Sequence, residues 1–204
     1  RLAELLRGQH DVRLVNASGS REDTVFAIQQ VRVVPQPFGS LFEAIFADSG
    51  ELAAGHLARE KVGVIDVGFR TADYTIADRT RYSARGSGTS EAGMSRAFAI
   101  VAARLKDLTG VDVELYRLYD AMDRGGIKIR GKEIDLREMR DEVYTRLAGT
   151  IATEVERLWH DDWDMDRILV TGGGGRALAP YLQGRIEGEV QSVDTSKDTR
   201  QNNA

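Results

Sequence analysis

The chain has 204 residues, 42% hydrophobic and 29% charged, with 28 basic against 32 acidic side chains, a formal charge of −4 and no cysteine. A soluble chain of this length buries roughly 70% of its unfolded surface in one core or two small lobes, while disulfide frameworks and thiolate metal sites are excluded. Its apolar runs are interrupted within about eight residues, far short of the ~20 that span a bilayer. No membrane span or signal peptide is expected, and the acidic balance argues against a surface that binds nucleic acid directly.

In chain order, strand-like and helix-like segments alternate, the pattern of an α/β fold. The chain starts at Arg1 inside a helical pattern (Leu2, Leu5, Leu6) and stops at Ala204 without a closing element, and is read as a piece of a longer protein. Residues 12–16 (VRLVN) and 24–34 (TVFAIQQVRVV) are rich in β-branched side chains and predict strands. Pro35 and Pro37 then lead a helix over 40–47, since proline suits a first turn. After an acidic surface connection over 48–60, KVGVIDVG predicts a buried strand and TADYTIAD a second strand after a tight turn. Residues 85–93 (RGSGTSEAG) predict a glycine and hydroxyl loop opening a helix, on which Met94, Phe98, Val101, Leu105 and Leu108 share one face. A short helix over 115–122 and a hairpin turning at Gly131 and Lys132 follow, then a capping box of Asp135 and Glu138 before a helix running to Leu158. A strand (RILVTG), four glycines, a helix (ALAPYL) and a weak strand near Val190 complete the chain, with no internal repeat.

Two segments carry most of the chemistry. In IDVGFRTAD, Asp66, Gly68, Thr71 and Asp73 form a D-x-G-x-x-T-x-D pattern between two strands. Such a turn offers consecutive backbone N–H groups and a hydroxyl to phosphate oxygens, and Asp66 can hold a hydrated Mg²⁺, which takes one or two carboxylates and keeps several waters. The same residues also suit an ordinary hairpin whose side chains satisfy their own turn. In ILVTGGGGRALAPYL, Gly172, Gly173, Gly174 and Gly175 remove every Cβ between strand and helix, which lets a ligand approach the backbone; a plain loop is the alternative. Gln36 stands where a carboxamide can orient a water or cap a helix. Gly86, Ser87, Gly88 and Thr89 offer a further nucleotide contact, or helix capping by Thr89 or Ser90.

Asp162, Asp164 and Asp166 imitate a calcium loop, but Arg167 occupies the position that needs glycine, so a solvated acidic connection is expected. His10, His56 and His160 have no metal-ligand spacing, and Trp159 and Trp163 suit helix-end packing.

The order of Gln36, D-x-G-x-x-T-x-D, a glycine loop opening a helix, and TGGGG about a hundred residues later resembles the second half of the actin-like ATPase superfamily. VVPQPFGSLF, GVIDVGFRTADYTIAD and RILVTGGGG look closest to plasmid-segregation actins of the ParM/StbA type and their archaeal actin-like relatives. The resemblance implies the ribonuclease-H-like α/β fold of actins and the related chaperone ATPases, a mixed sheet flanked by helices. Residues 1–35 would be the tail of a preceding lobe, and 36–204 a second lobe with a small inserted subdomain near 111–134.

By the same resemblance, Asp66, Gly68, Thr71 and Asp73 match the second phosphate motif, with Asp66 near the nucleotide-bound Mg²⁺ and in contact with it through water. Gly172 to Gly175 match the adenosine motif, and Gln36 the residue that positions the attacking water. Phe69 and Arg70 depart from the small residues usual at this turn, and the family's first Asp-x-Gly hairpin has no counterpart upstream of Gln36. The implied function is a cytoplasmic filament-forming ATPase that binds ATP (or GTP) with Mg²⁺ and segregates plasmid DNA through a DNA-binding adaptor, with no direct nucleic-acid contact and no membrane. A sugar or acid kinase of the same fold and a non-catalytic nucleotide-binding assembly protein are the alternatives.

Overall fold

A computed structural model describes residues 1–31, 33–47 and 49–193. The chain divides into two compact units, Arg1–Pro35 and Gln36–Ala204. The first unit holds helix α1 (Leu2–Leu6) and an antiparallel hairpin of β1 (Gly8–Val15) and β2 (Arg21–Ile28). The second strand therefore ends six residues before the β-branched run does. Arg13 and Asp23 face each other across this hairpin at 2.6 Å, an exposed pair that contributes little to stability.

The second unit is built on five strands: β3 (Lys61–Val67), β4 (Ala72–Asp78), β5 (Arg81–Ser90), β8 (Arg167–Thr171) and β9 (Glu189–Ser192). Their order across the sheet is β5-β4-β3-β8-β9, with β3–β4 and β4–β5 antiparallel and β3–β8 and β8–β9 parallel. The helices are α2 (Gln36–Ile45), α3 (Met94–Thr109), α4 (Leu118–Arg124), α5 (Arg137–Trp159) and α6 (Gly175–Leu182), and β6 (Gly126–Ile129) pairs with β7 (Lys132–Asp135). This is the mixed sheet flanked by helices expected of an actin-like lobe.

Strand alternation sorts the side chains onto two faces. Ile65, Val67, Tyr74, Ile76, Ile168 and Val170 pack with Phe98, Val101 and Leu105 of α3 and Leu147, Ile151 and Val155 of α5. The opposite face, with Val62, Val64, Ala77 and Leu169, packs beneath Phe38, Leu41 and Ile45 of α2 and is closed by Leu57. Residues 111–134 feed the first of these cores, since Leu118, Ala121, Met122 and Ile129 are buried in it.

Several local expectations need correction. Residues Arg81–Ser90 form a strand where RGSGTS predicts a loop. Gly86 is glycine because a Cβ there would lie 2.3 Å from Ile76 Cδ1, and Gly88 lies against Leu158. Helix α3 is preceded by Gly93 with no side-chain cap, so neither Thr89 nor Ser90 caps it; Ser90 instead meets the Tyr74 hydroxyl at 2.9 Å. At α5 the N-cap is Leu136, again without a side-chain cap, although Asp135 Oδ1 accepts the Arg137 N–H at 2.9 Å. The β6–β7 hairpin turns at Arg130 and Gly131, both at positive φ, one residue earlier than expected.

The acidic segment is also more than a solvated connection. Asp162 is buried, and it binds Lys61 Nζ at 2.9 Å and Arg85 at 3.0 Å, while Asp166 accepts the Lys61 N–H at 2.7 Å. Trp159 is buried at this end, donating its indole N–H to the Gly86 carbonyl at 2.7 Å, whereas Trp163 is 86% exposed. No helix among the described residues is long and apolar enough to cross a membrane.

Candidate nucleotide site

Asp66 is the penultimate residue of β3, and its neighbours follow from the sheet register. Antiparallel pairing sets Asp73 directly opposite it, and parallel pairing sets Thr171 on its other side. Directly paired residues project to the same face, which is the face covered by α2. Gln36, the first residue of α2, donates its side-chain N–H to Asp66 Oδ2 at 3.4 Å. The nearly continuous apolar run of β3 is thus broken by one carboxylate, held at the end of the strand where α2 begins.

Only 6% of Asp66 is exposed. Burial pushes its carboxyl pKa up, the Asp73 charge pushes it further, and the Gln36 hydrogen bond opposes both. A buried carboxylate beside a second carboxylate is a site that gains from a cation. Asp73 accepts two hydroxyl hydrogen bonds, from Thr71 Oγ1 at 3.3 Å and from Thr89 Oγ1 at 2.5 Å. Thr89 and the buried Thr171 belong to this cluster. Thr89 reaches Asp73 because β5 pairs it directly opposite, beyond a register shift that separates it from Ser83, which pairs with Ile76.

The β3–β4 turn is held from behind by α3. Met94 N–H donates to the Gly68 carbonyl at 3.1 Å, Ser95 N–H to the Phe69 carbonyl at 2.8 Å, and Gly93 N–H to the Arg70 carbonyl at 3.2 Å. Gly68 N–H closes the turn on the Thr71 carbonyl at 2.9 Å. Among the described residues, the N–H groups of Phe69, Arg70 and Thr71 meet no protein acceptor, so three consecutive donors remain for an anion. Phe69 is the anchor of this turn: its ring packs 6.4 Å from Phe98 and 6.0 Å from Tyr119. A bulky residue at the tip therefore joins the turn to α3 and α4 and leaves the backbone donors open.

The glycine run reaches the same point because β8 lies beside β3. Gly172 has φ +82°, and a Cβ on it would lie 2.2 Å from Asp66 Oδ1 and 2.6 Å from the Val67 carbonyl. Gly174 donates its N–H to that carbonyl at 2.9 Å, and a Cβ there would strike Met94 and Val67. Gly175 opens α6, so the run ends at a helix N-terminus. The fold thus brings together Gln36, Asp66, Gly68, Thr71, Asp73 and the run from Gly172 to Gly175. Gly86, Ser87 and Gly88 sit inside β5, and Ser87 is occupied by Thr75 and the Ser83 carbonyl, both at 2.8 Å. A surface recess of about 320 Å³ between α2 and β9 is lined by Glu43, His56 and Gln191, and by none of the residues of this cluster.

The donors suit the groups that the motifs imply. Oxygen ligands without nitrogen or sulfur fit Mg²⁺, and among the described residues no group of three or more acidic or histidine side chains forms a complete protein cage. One or two carboxylates with room for water and phosphate is what that ion takes. The missing Cβ atoms at Gly172 and Gly174 let the glycine run pack directly against Asp66, Val67 and Met94 at the end of β3.

The geometry agrees with comparisons to known proteins. The family profile described as "Archaeal actin homologue MreB-like, C-terminal" matches residues 64–184. No curated protein sequence matches the chain. Among solved structures, the archaeal actin homologue Ta0583 superposes with a TM-score of 0.73 at 16% identity, covering 95% of this chain and 59% of its own. A ParM from Clostridium botulinum, solved as a 15-stranded filament, gives 0.68 at 20%, covering 90% and 54%. ParM from Bacillus thuringiensis with ATP gives 0.65 at 14%, covering 97% and 58%. This chain spans somewhat more than half the length of each, and at these identities the likeness establishes the fold. With the profile spanning more than half of the chain, the protein belongs to the MreB-like archaeal actin homologue family, represented here by its C-terminal domain.

Proposed function

We propose that this chain is the nucleotide-binding lobe of an actin-like ATPase that assembles filaments and, in the cytoplasm, positions plasmid DNA through a DNA-binding adaptor. The observation that carries the reading is the convergence of Asp66, Gln36 and Gly172 on one strand end, beside a turn with three backbone donors free. The ParM filament and the ATP-bound ParM, similar in fold, support self-assembly and ATP as the nucleotide.

In this reading the N–H groups of Phe69, Arg70 and Thr71 bind the phosphates, the Thr71 hydroxyl stays on Asp73, and the run from Gly172 to Gly175 lies against the nucleoside. Asp66 would hold Mg²⁺, which when bound would supply charge neutralisation at the phosphates. Gln36 has one amide proton on Asp66, which fixes the carboxamide and leaves its carbonyl oxygen to accept a hydrogen bond from the attacking water. Hydrolysis then depends on Gln36 as a positioning group, while binding depends on Asp66 and the glycines.

The test is light scattering together with phosphate release, with ATP and Mg²⁺ added to the wild type and to Gln36→Ala. The expected result is polymer that disperses as phosphate appears, and for Gln36→Ala polymer that persists with phosphate release slowed ~100-fold or more, the range of one lost catalytic group. ATP consumption that requires a small phosphate acceptor, with no polymer, would instead support a kinase.

A further inference from the structure

We propose that Arg70 supplies a guanidinium to the terminal phosphate of the bound nucleotide and so makes the site favour a nucleoside triphosphate over a diphosphate. This rests on the nucleotide reading above and extends it to a side chain that the motif pattern does not include.

Arg70 stands at the tip of the β3–β4 turn, four residues after Asp66 and next to Thr71. Its main chain is fixed, because its carbonyl accepts the Gly93 N–H at 3.2 Å and a Cβ on Gly93 would lie 2.3 Å from the Arg70 carbonyl carbon. Its side chain is exposed and, among the described residues, makes no hydrogen bond or ion pair. That is informative beside two carboxylates. Asp66 takes Gln36, and Asp73 takes Thr71 and Thr89, and neither is paired with Arg70. The turn therefore holds a cation on a fixed backbone, in line with three unpaired N–H donors, and without a protein anion as its partner.

Charge balance points the same way. A triphosphate brings about four negative charges to a site already holding the Asp66 and Asp73 carboxylates, and one Mg²⁺ offsets two of them. A guanidinium fits the remaining need better than an ammonium does, since its planar fork engages two phosphate oxygens at once. The outermost phosphate carries the most charge and is absent from the diphosphate, so loss of Arg70 should weaken the two ligands unequally.

The experiment titrates fluorescent methylanthraniloyl-ATP and methylanthraniloyl-ADP, each with Mg²⁺, into the full chain as wild type, Arg70→Ala and Arg70→Lys, with circular dichroism confirming an unchanged fold. For Arg70→Ala the ATP analogue should bind ~10- to 100-fold more weakly, the size of a lost charge-assisted hydrogen-bonded pair, while the ADP analogue changes no more than about twofold. Arg70→Lys should recover only part of the ATP affinity. Equal changes for the two analogues, or no change for either, overturn the role of Arg70 while leaving the nucleotide site standing. Failure of the wild type to bind either analogue overturns the nucleotide reading itself, and the role of Arg70 with it.

Discussion

Replacing Gly172 by alanine probes the contact on which the site depends. The new Cβ would lie 2.2 Å from Asp66 Oδ1 and 2.6 Å from the Val67 carbonyl oxygen, well inside van der Waals contact. Asp66 could swing away, but only by giving up Gln36, and the Val67 carbonyl is held by the Gly174 N–H at 2.9 Å. The backbone itself is at φ +82°, where a residue with a Cβ costs ~1–2 kcal/mol. Overpacking of a tight interior adds ~1–3 kcal/mol. The sum is a destabilisation of about 2–5 kcal/mol, which for a domain of this size lowers the melting midpoint by roughly 4–20 °C. Urea unfolding followed by the fluorescence of the buried Trp159 measures it. Unchanged stability together with unchanged nucleotide affinity would refute the packing of the glycine run against the end of β3.

Two further substitutions test charge. For Asp66→Asn, the sign follows from a carboxyl pKa raised by burial and by Asp73: the group favours folding most below its ordinary value of 3.8, and that contribution is lost as pH rises through the raised value. The stability of the wild type relative to Asp66→Asn should therefore fall from acid toward neutral pH in paired urea titrations, while Mg²⁺-dependent nucleotide binding disappears in the variant. For Asp162→Ala, loss of the buried partner of Lys61 and Arg85 should cost about 1–3 kcal/mol, below the fully buried case because Arg85 is largely exposed. Its nucleotide affinity should stay unchanged, since Asp162 binds Lys61 at the far end of β3 from Asp66.

Much of the second unit was legible because its strands and helices carry plain periodicity. The buried run of KVGVIDVG, its paired strand, the apolar stripes of α5 and of α3 as far as Leu105, and the glycine run all follow from residue type alone, whereas Leu108 at the end of α3 is 65% exposed. What was hidden depends on partners. Glycine at 86 and 88 reads as loop, yet both positions are small because Ile76 and Leu158 occupy the space above a strand. Asp162 reads as solvated because its cations lie about a hundred residues upstream at Lys61 and nearly eighty at Arg85. Within the site, Asp66 and the glycines announced themselves by pattern, whereas the roles of Thr89, Thr171 and the α3 N-terminus arise from register and could be seen only once the strands were paired.

Amide hydrogen exchange with and without ATP and Mg²⁺ tests the central claim most directly. The N–H groups of Phe69, Arg70 and Thr71 have no protein acceptor among the described residues, so without nucleotide they should exchange quickly. The account predicts that MgATP slows exchange at residues 68–71 and 172–175 together, with no change at 86–88, where the backbone already lies within β5. Protection confined to other segments, or none at both the turn and the glycine run, would contradict it.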